Sequence, residues 1–206
     1  IKDLQAGDGS IEFDNVCFGY GKDDDERPIL KNVSFRVEGG QTVGIVGATG
    51  SGKSTIARLL VRYYDVQSGS IRISGQDIRQ LTQKSLRRAI GVVAQDTVLF
   101  NTTIGFNIGF GACSDGAVTQ EQIREAAREA QILDFIMSSP KQFETLVGER
   151  GLRLSGGEKQ RIAIARVILK NPTFLIWTSR LALSIRTLKD SSRTRCRRFK
   201  RIGRVW

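Results

Sequence analysis

Lys53 and Ser54 close the octapeptide "GATGSGKS", Gly47 to Ser54, which fits the spacing G-x-x-x-x-G-K-[ST]. The chemistry of that spacing is anion binding. Glycines at 47, 50 and 52 let backbone N–H groups converge on phosphate oxygens, with Thr49 and Ser51 in the turn between them. A helix starting at the lysine adds the partial positive charge of its N-terminus. Lys53 has the reach for β- and γ-phosphates, the Ser54 hydroxyl suits Mg²⁺, and Thr55 adds a phosphate hydrogen bond. An ordinary Gly-rich turn is the plainer reading, and the sequence on either side argues against it.

That context is a strand, a turn and a helix. "TVGIVG" before the turn reads as a fully buried strand, and Ile56, Leu59, Leu60 and Tyr63 after it recur at helical spacing. The order is half of a parallel α/β unit. Upstream, alternation in "SIEFDNV" and "NVSFRV" predicts half-buried antiparallel strands, separated by the acidic loop from Asp23 to Glu26. Downstream, "IRI" is a short strand and "IGVVAQD" a further buried one.

A second set of residues that suits an anion lies in "LSGGEKQR", Leu154 to Arg161. Ser155, Gly156 and Gly157 open a helix, so they present N–H groups and a hydroxyl at its dipole-positive end, which suits a γ-phosphate. Ser155 and Glu158 also have capping-box spacing, so on its own Ser155 reads equally well as a helix cap. Asn171 and Pro172 stop that helix. Ile123, Ala127, Ala130, Leu133 and Ile136 make one apolar face of an amphipathic helix over 121–136, part of a smaller helical lobe at about 100–170.

The chain has 206 residues, 40% of them hydrophobic, enough for one domain with a core or most of a larger one. The start at Ile1 suggests a piece of a longer polypeptide, in which no targeting peptide can be read. No window approaches the roughly 18 apolar residues of a membrane helix, so any membrane segment is expected outside this sequence. Cys17, Cys113 and Cys196 lack metal or redox spacing and His is absent, which suggests a reduced intracellular compartment. The net charge of +11 is uneven: residues 1–176 carry 22 basic and 20 acidic side chains, residues 177–206 carry 10 and one. Basicity belongs to the tail.

Together, the glycine turn and "LSGGEKQR" resemble the motifs of ATP-binding-cassette ATPases, over about residues 10–176. Tyr20, in "VCFGY", matches the family's adenine-stacking aromatic, although alone it would read as a packing residue. Gln95, in "VVAQD", matches the glutamine that senses Mg²⁺ and attacking water, although alone it would be a surface amide. "VGERG", Val147 to Gly151, resembles the exporter loop near the membrane-domain interface. The resemblance implies a P-loop α/β fold with a parallel-sheet core, an N-terminal antiparallel β subdomain and a helical signature subdomain. It also implies ATP and Mg²⁺ as ligands, Lys53 and Gln95 in catalysis, and Ser54 and Gln95 at the metal. The partners it implies are a second such domain, identical or not, in a head-to-tail sandwich, and a membrane domain outside this chain. "ERPILKNVSF" and "SLRRAIGVVAQDTVLFN" look closest to half-transporters of the mitochondrial iron-sulfur-export and heavy-metal-tolerance type. That places the domain on the cytosolic or matrix side of a membrane, with glutathione-linked metal or sulfur species as implied cargo.

One expected pair is missing. After four apolar residues the family has Asp and Glu, but Phe174 to Trp177 are followed by Thr178 and Ser179, and the switch histidine is absent. Ser179 cannot polarise water as a carboxylate does, which forfeits assistance typically worth ~10²–10⁴-fold. Deleting one C from a possible coding sequence for "ILDEPTSALD" yields Ile-Trp-Thr-Ser-Arg-Leu-Ala-Leu-Ser-Ile, the chain from Ile176 to Ile185. Residues 177–206 are therefore expected to be an out-of-frame tail, with the C-terminal strands missing and the edge around Val43 to Val46 unpaired. The leading function is the ATP-binding domain of an exporter. The alternative is a non-hydrolysing module regulating a competent partner. A nucleic-acid or anionic-membrane role for "RTRCRRFKRIGR" is weaker, and no nucleic acid is expected.

Overall fold

A computed structural model describes residues 1–5, 7–21, 28–112, 118–148, 151–179 and 182–187. They fall into two compact units, one of Ile1–Val92 joined by the chain from Thr173 through Thr187, the other of Val93–Pro172. The acidic loop, Cys113, Cys196, Glu149, Arg150 and the tail beyond Thr187 lie outside the described residues.

In the first unit, β1 (Ile11–Phe18) and β2 (Leu30–Val37) pair antiparallel, with Ile11 opposite Val37 and Phe13 opposite Phe35. The two phenyl rings stack at 4.5 Å. Alternation changes phase inside β1: Ile11 and Phe13 are buried, then Val16 and Phe18. The cause is a register shift at Asn15, which sits at φ 47. Next in the chain are β3 (Thr42–Val46), α1 (Lys53–Leu60) and β4 (Ser68–Ile73). β4 joins the free side of β1, and its Gly69 passes so close to the bulge that a Cβ there would lie 2.4 Å from the Asp14 and Asn15 carbonyl oxygens.

β5 (Gln76–Asp77) extends this sheet, and α2 (Gln83–Ala89) follows with Thr82 as its cap, Oγ1 accepting from Ser85 N–H at 3.2 Å. Its seven residues bury only Leu86, so α2 carries little periodicity in the sequence. α1 buries Ile56, Leu59 and Leu60 as expected. Tyr63 does not join them. It lies past the helix end, 65% exposed, with the Arg87 guanidinium 5.2 Å from its ring.

The second sheet of this unit has the order β3-β10-β9-β6, where β6 is Ile90–Val93, β9 is Phe174–Thr178 and β10 is Ala182–Thr187. Here two expectations are corrected. The edge of β3 is not left bare, because β10 pairs with Thr42–Val46 on one side and with Phe174–Thr178 on the other. Nor is the sheet purely parallel: β10 runs antiparallel to both neighbours, which makes β3 and β9 parallel to each other. Ser179 to Ala182 is too short for the crossover that a parallel strand needs, so the chain reverses directly. Leu183 and Ile185 enter the core opposite Ile45 and Val43, while Ser184 and Arg186 alternate to the other face. β3 is also less buried than expected. Val43 and Ile45 pack inward, but Val46 is 77% exposed, because among the described residues nothing covers the second face there.

The second unit is helical, with a two-rung ladder of β7 (Thr102–Thr103) and β8 (Leu146–Val147). Its helices are α3 (Ile104–Gly109), α4 (Gln120–Glu129), α5 (Leu133–Ser138) and α6 (Gly156–Lys170). Ile104, Ile108, Ile123, Ala127, Ile132, Ile136 and Ile162 build its core. The single helix expected over 121–136 is two helices. Gln131 at φ 57 breaks it, and Arg161 captures the displaced Gln131 carbonyl at 3.0 Å.

Candidate functional site: a phosphate cradle and a glycine-opened helix

β3 ends at Val46 and α1 begins at Lys53, so the loop between them turns where the end of a strand meets a helix N-terminus. Gly50 and Gly52 adopt φ of +86 and +89. That region is costly for residues with a Cβ. At Gly52 a Cβ would also lie 2.7 Å from Leu30 Cδ2, and at Gly47 one would lie 2.7 Å from Ser51 Oγ. Lys53 is nine-tenths buried, and its ammonium donates to the Gly47 carbonyl at 2.6 Å and the Ala48 carbonyl at 2.7 Å. Those bonds hold the cation inside its own loop. The third donor goes to the Ser51 hydroxyl at 3.4 Å, the longest of the three bonds and the one an anion would replace most readily. Thr49 and Ser54 are exposed, and the Ser54 hydroxyl sits in the first turn of α1, where a hard cation could be shared with a phosphate.

Tyr20 joins this group from the end of β1. Its ring is 41% exposed and meets Phe18 and Tyr64 edge-on, each at 5.1 Å between centroids. Its phenol oxygen accepts from Arg58 Nη1 at 2.9 Å and lies 3.2 Å from Thr55 Oγ1. The phenol's hydrogen bond, and after it the charge interaction with that group, raise the Arg58 pKa. Arg58 escaped the sequence reading. Only its place one helical turn after Thr55 pointed to it, and Tyr20 is 38 residues away.

The second unit carries the other expected residues. Ser155 caps α6 as a full capping box: Glu158 N–H donates to Ser155 Oγ at 3.3 Å, and Ser155 N–H donates to Glu158 Oε2 at 2.7 Å. Gly156 and Gly157 are exposed, and a Cβ on either would meet nothing within 4 Å. Gln95 is exposed in the bend that follows β6. Three residues on, the chain is gripped by Arg166 of α6, which donates to the Val98 carbonyl at 2.9 Å and the Asn107 carbonyl at 2.6 Å and also reaches Asn107 Oδ1. Burial lowers the Arg166 pKa, and among the described residues no carboxylate pairs with it. Asn107, fully buried, returns bonds to both main-chain polar groups of Phe100. Neither residue was singled out from sequence, because an Arg and an Asn inside helical segments carry no motif of their own. In the "VGERG" segment Gly148 takes φ +111, and a Cβ on Gly151 would lie 2.4 Å from the Leu146 carbonyl oxygen.

At the end of β9, Ser179 closes the hairpin. Its N–H and hydroxyl donate to the Ala182 carbonyl at 2.8 and 3.1 Å, and its Oγ accepts from Ala182 N–H at 3.1 Å. Among the described residues no group of three His, Cys, Asp or Glu side chains could hold a metal. No helix among them is long and apolar enough to cross a membrane.

Comparison with known proteins agrees with this geometry. The family model described as ABC transporter matches residues 30–178. An ATM1-type heavy metal exporter of Novosphingobium aromaticivorans is 54% identical over 88% of this chain and 29% of its own length. ATP-binding cassette sub-family B member 6 of Rattus norvegicus is 58% identical over 84% of this chain and 20% of its own. For the mitochondrial iron-sulfur clusters transporter atm1 of Aspergillus fumigatus the figures are 53%, 82% and 22%. A solved structure described as a bacterial Atm1-family ABC exporter with ATP bound superposes with a TM-score of 0.76 at 52% identity, covering 85% of this chain and 30% of that one. The chain thus spans less than a third of the length of these relatives. With a glycine-built cradle between β3 and α1, a glycine-opened α6 and a family match over 30–178, the chain belongs to the ABC transporter family.

Proposed function

We propose that this chain is the ATP-binding domain of an exporter of the Atm1 type. The observation that carries the reading is the loop from Gly47 to Lys53, whose two left-handed glycines and inward-held lysine offer a phosphate backbone N–H groups and an ammonium whose third, 3.4 Å bond to Ser51 is readily exchanged. Lys53 would bind the β- and γ-phosphates, and Gly47, Thr49, Gly50, Ser51 and Gly52 would supply the surrounding backbone. Ser54 would ligate Mg²⁺, which when bound neutralises phosphate charge, and the family resemblance implies a part at the metal for Gln95. Tyr20 would stack on the adenine. Ser155, Gly156 and Gly157 would serve the nucleotide of a second domain, identical or not, since a Cβ on either of two adjacent exposed helix-opening glycines would meet nothing among the described residues. The membrane domain is a separate part of the exporter. The cargo is a glutathione-linked metal or sulfur species, and the membrane is the mitochondrial inner or vacuolar one, with the domain on the matrix or cytosolic side.

Two features bear on turnover. Thr178 and Ser179 occupy the places of the Asp and Glu that the family resemblance implies, and the Ser179 hydroxyl is engaged with Ala182. We therefore assign nucleotide binding to the chain as written, and full hydrolysis to a parent reading that restores the carboxylates. We propose that residues 1–176 are the incomplete ATPase domain and 177–206 an out-of-frame tail. Sequencing the transcript across the codons for Leu175 to Arg186 is expected to show the "DEPTSALD" motif in the neighbouring frame, and its absence from all frames rejects this division.

Calorimetric titration with MgATP tests the binding role. Saturable heat in the native chain and its loss, by about 100-fold or more in affinity, in Lys53→Ala are expected, since a charge-assisted contact in a partly buried cradle is removed. Equal binding by the two proteins would reject the assignment.

A further inference from the structure

The contacts of Tyr20 suggest more than a stacking platform. A guanidinium has donors only, so the Arg58–Tyr20 bond at 2.9 Å fixes the phenol oxygen as acceptor. The phenol has one proton of its own. Thr55 Oγ1 lies 3.2 Å from the phenol oxygen, and either of the two can be the donor. When the phenol donates, Thr55 accepts and its own hydroxyl proton is left over. Among the described residues Thr55 has no second hydrogen-bond partner, although the residue is only 5% exposed. A buried donor without an acceptor is a cost that folding normally avoids. Thr55 is the residue after Ser54, in the first turn of α1, where the orphan N–H groups and the helix dipole already favour negative charge.

We propose that Arg58, Tyr20 and Thr55 form a directional donor chain that ends on a phosphate oxygen. The cation at the far end polarises the phenol, the phenol polarises the threonine hydroxyl, and the bound anion supplies the missing acceptor. Arg58 is thus a positioning residue that acts on the phosphate through two side chains. The inference rests on the ATP-binding role proposed above and adds to it a residue outside the glycine loop. It also gives the aromatic a second task, since the hydroxyl of Tyr20, not only its ring, bears on affinity.

The test is a double-mutant cycle on the full 206-residue chain, read by calorimetry with MgATP and with magnesium tripolyphosphate, which has no base to stack. Tyr20→Phe keeps the ring and removes the phenol oxygen. Arg58→Ala removes the cation. Each is expected to weaken binding of both ligands by about fivefold to tenfold, with the double variant no worse than either single one, because the chain is broken once. Urea unfolding of each variant checks that the fold is kept, and Arg58→Lys, which retains a donor, should recover part of the loss. Unchanged affinity in Arg58→Ala, losses that multiply in the double variant, or a loss confined to ATP would each overturn the proposal while leaving ATP binding intact. A native chain that binds no ATP would remove both readings.

Discussion

Gly52 and the pair Gly156–Gly157 are the same residue type in motifs for the same ligand, yet they are glycine for opposite reasons. At Gly52 the backbone sits at φ +89 and a Cβ would press on Leu30, so the chain itself demands glycine. At 156 and 157 the backbone is helical and a Cβ would meet open space, so this fold gains nothing from glycine and forgoes about 1 kcal/mol of helix propensity at each position. The expected outcome is a change of sign. Gly52→Ala should lower unfolding stability by about 2 kcal/mol through strain and crowding. Gly157→Ala should leave it equal or raise it by up to about 1 kcal/mol. Urea midpoints of the two variants check this, and a destabilised Gly157→Ala would mean that the bare helix end serves the fold and not a partner.

At the scale of elements, caps set where segments begin. Thr82, Thr103, Thr119 and Ser155 each accept from an N–H in the first turn of the following helix, and Asp77 does so for the short 3-10 turn after β5. The Asp77 carboxylate takes the Arg79 N–H at 2.9 Å and its guanidinium at 2.6 Å, and the side-chain bond from Arg79 is the main cause of its lowered pKa. A carboxyl that is a stronger acid when folded contributes stability above its unfolded pKa of ~3.9 and loses it as pH falls through the lower folded value. Asp77→Asn is therefore expected to cost about 0.5–1 kcal/mol at pH 7 and progressively less as pH falls below the unfolded value, as urea midpoints over that range would show. A penalty that stays constant down to pH 2 would mean that the amide fails for steric and not electrostatic reasons.

At the scale of the whole molecule, what could be read from sequence was what is local. The glycine loop, the capping box at Ser155 and the stop at Asn171 depend on residues within a few positions of each other, and the structure has each where the sequence puts it. What escaped depends on residues far apart. Arg58 meets Tyr20 across 38 positions, Arg166 meets Asn107 across 59, and Thr187 binds the Glu38 carbonyl across 149, at 2.9 Å. The tail is the sharpest case. Its departure from the family pattern after Ile176 suggested a strandless segment, but departure from a pattern says nothing about alternation, and "ALSIRT" alternates. Leu183, Ile185 and Thr187 point to the core while Ser184 and Arg186 do not, which is all that a half-buried strand requires. Two cross-strand neighbours then hold it: Ile185 sits between Val43 of β3 and Ile176 of β9 and has no exposed surface. If β10 is a working part of the first unit's core, a carboxylate at that position leaves an unpaired charge among apolar groups and should cost about 3 kcal/mol or more. Ser184→Asp, one residue away on the opposite face, should stay within about 0.5 kcal/mol of the native chain. Ile185→Asp and Ser184→Asp compared by urea unfolding decide between this strand and a tail outside the fold: unequal penalties in the stated order support the strand, and equal small ones return the edge of β3 to solvent.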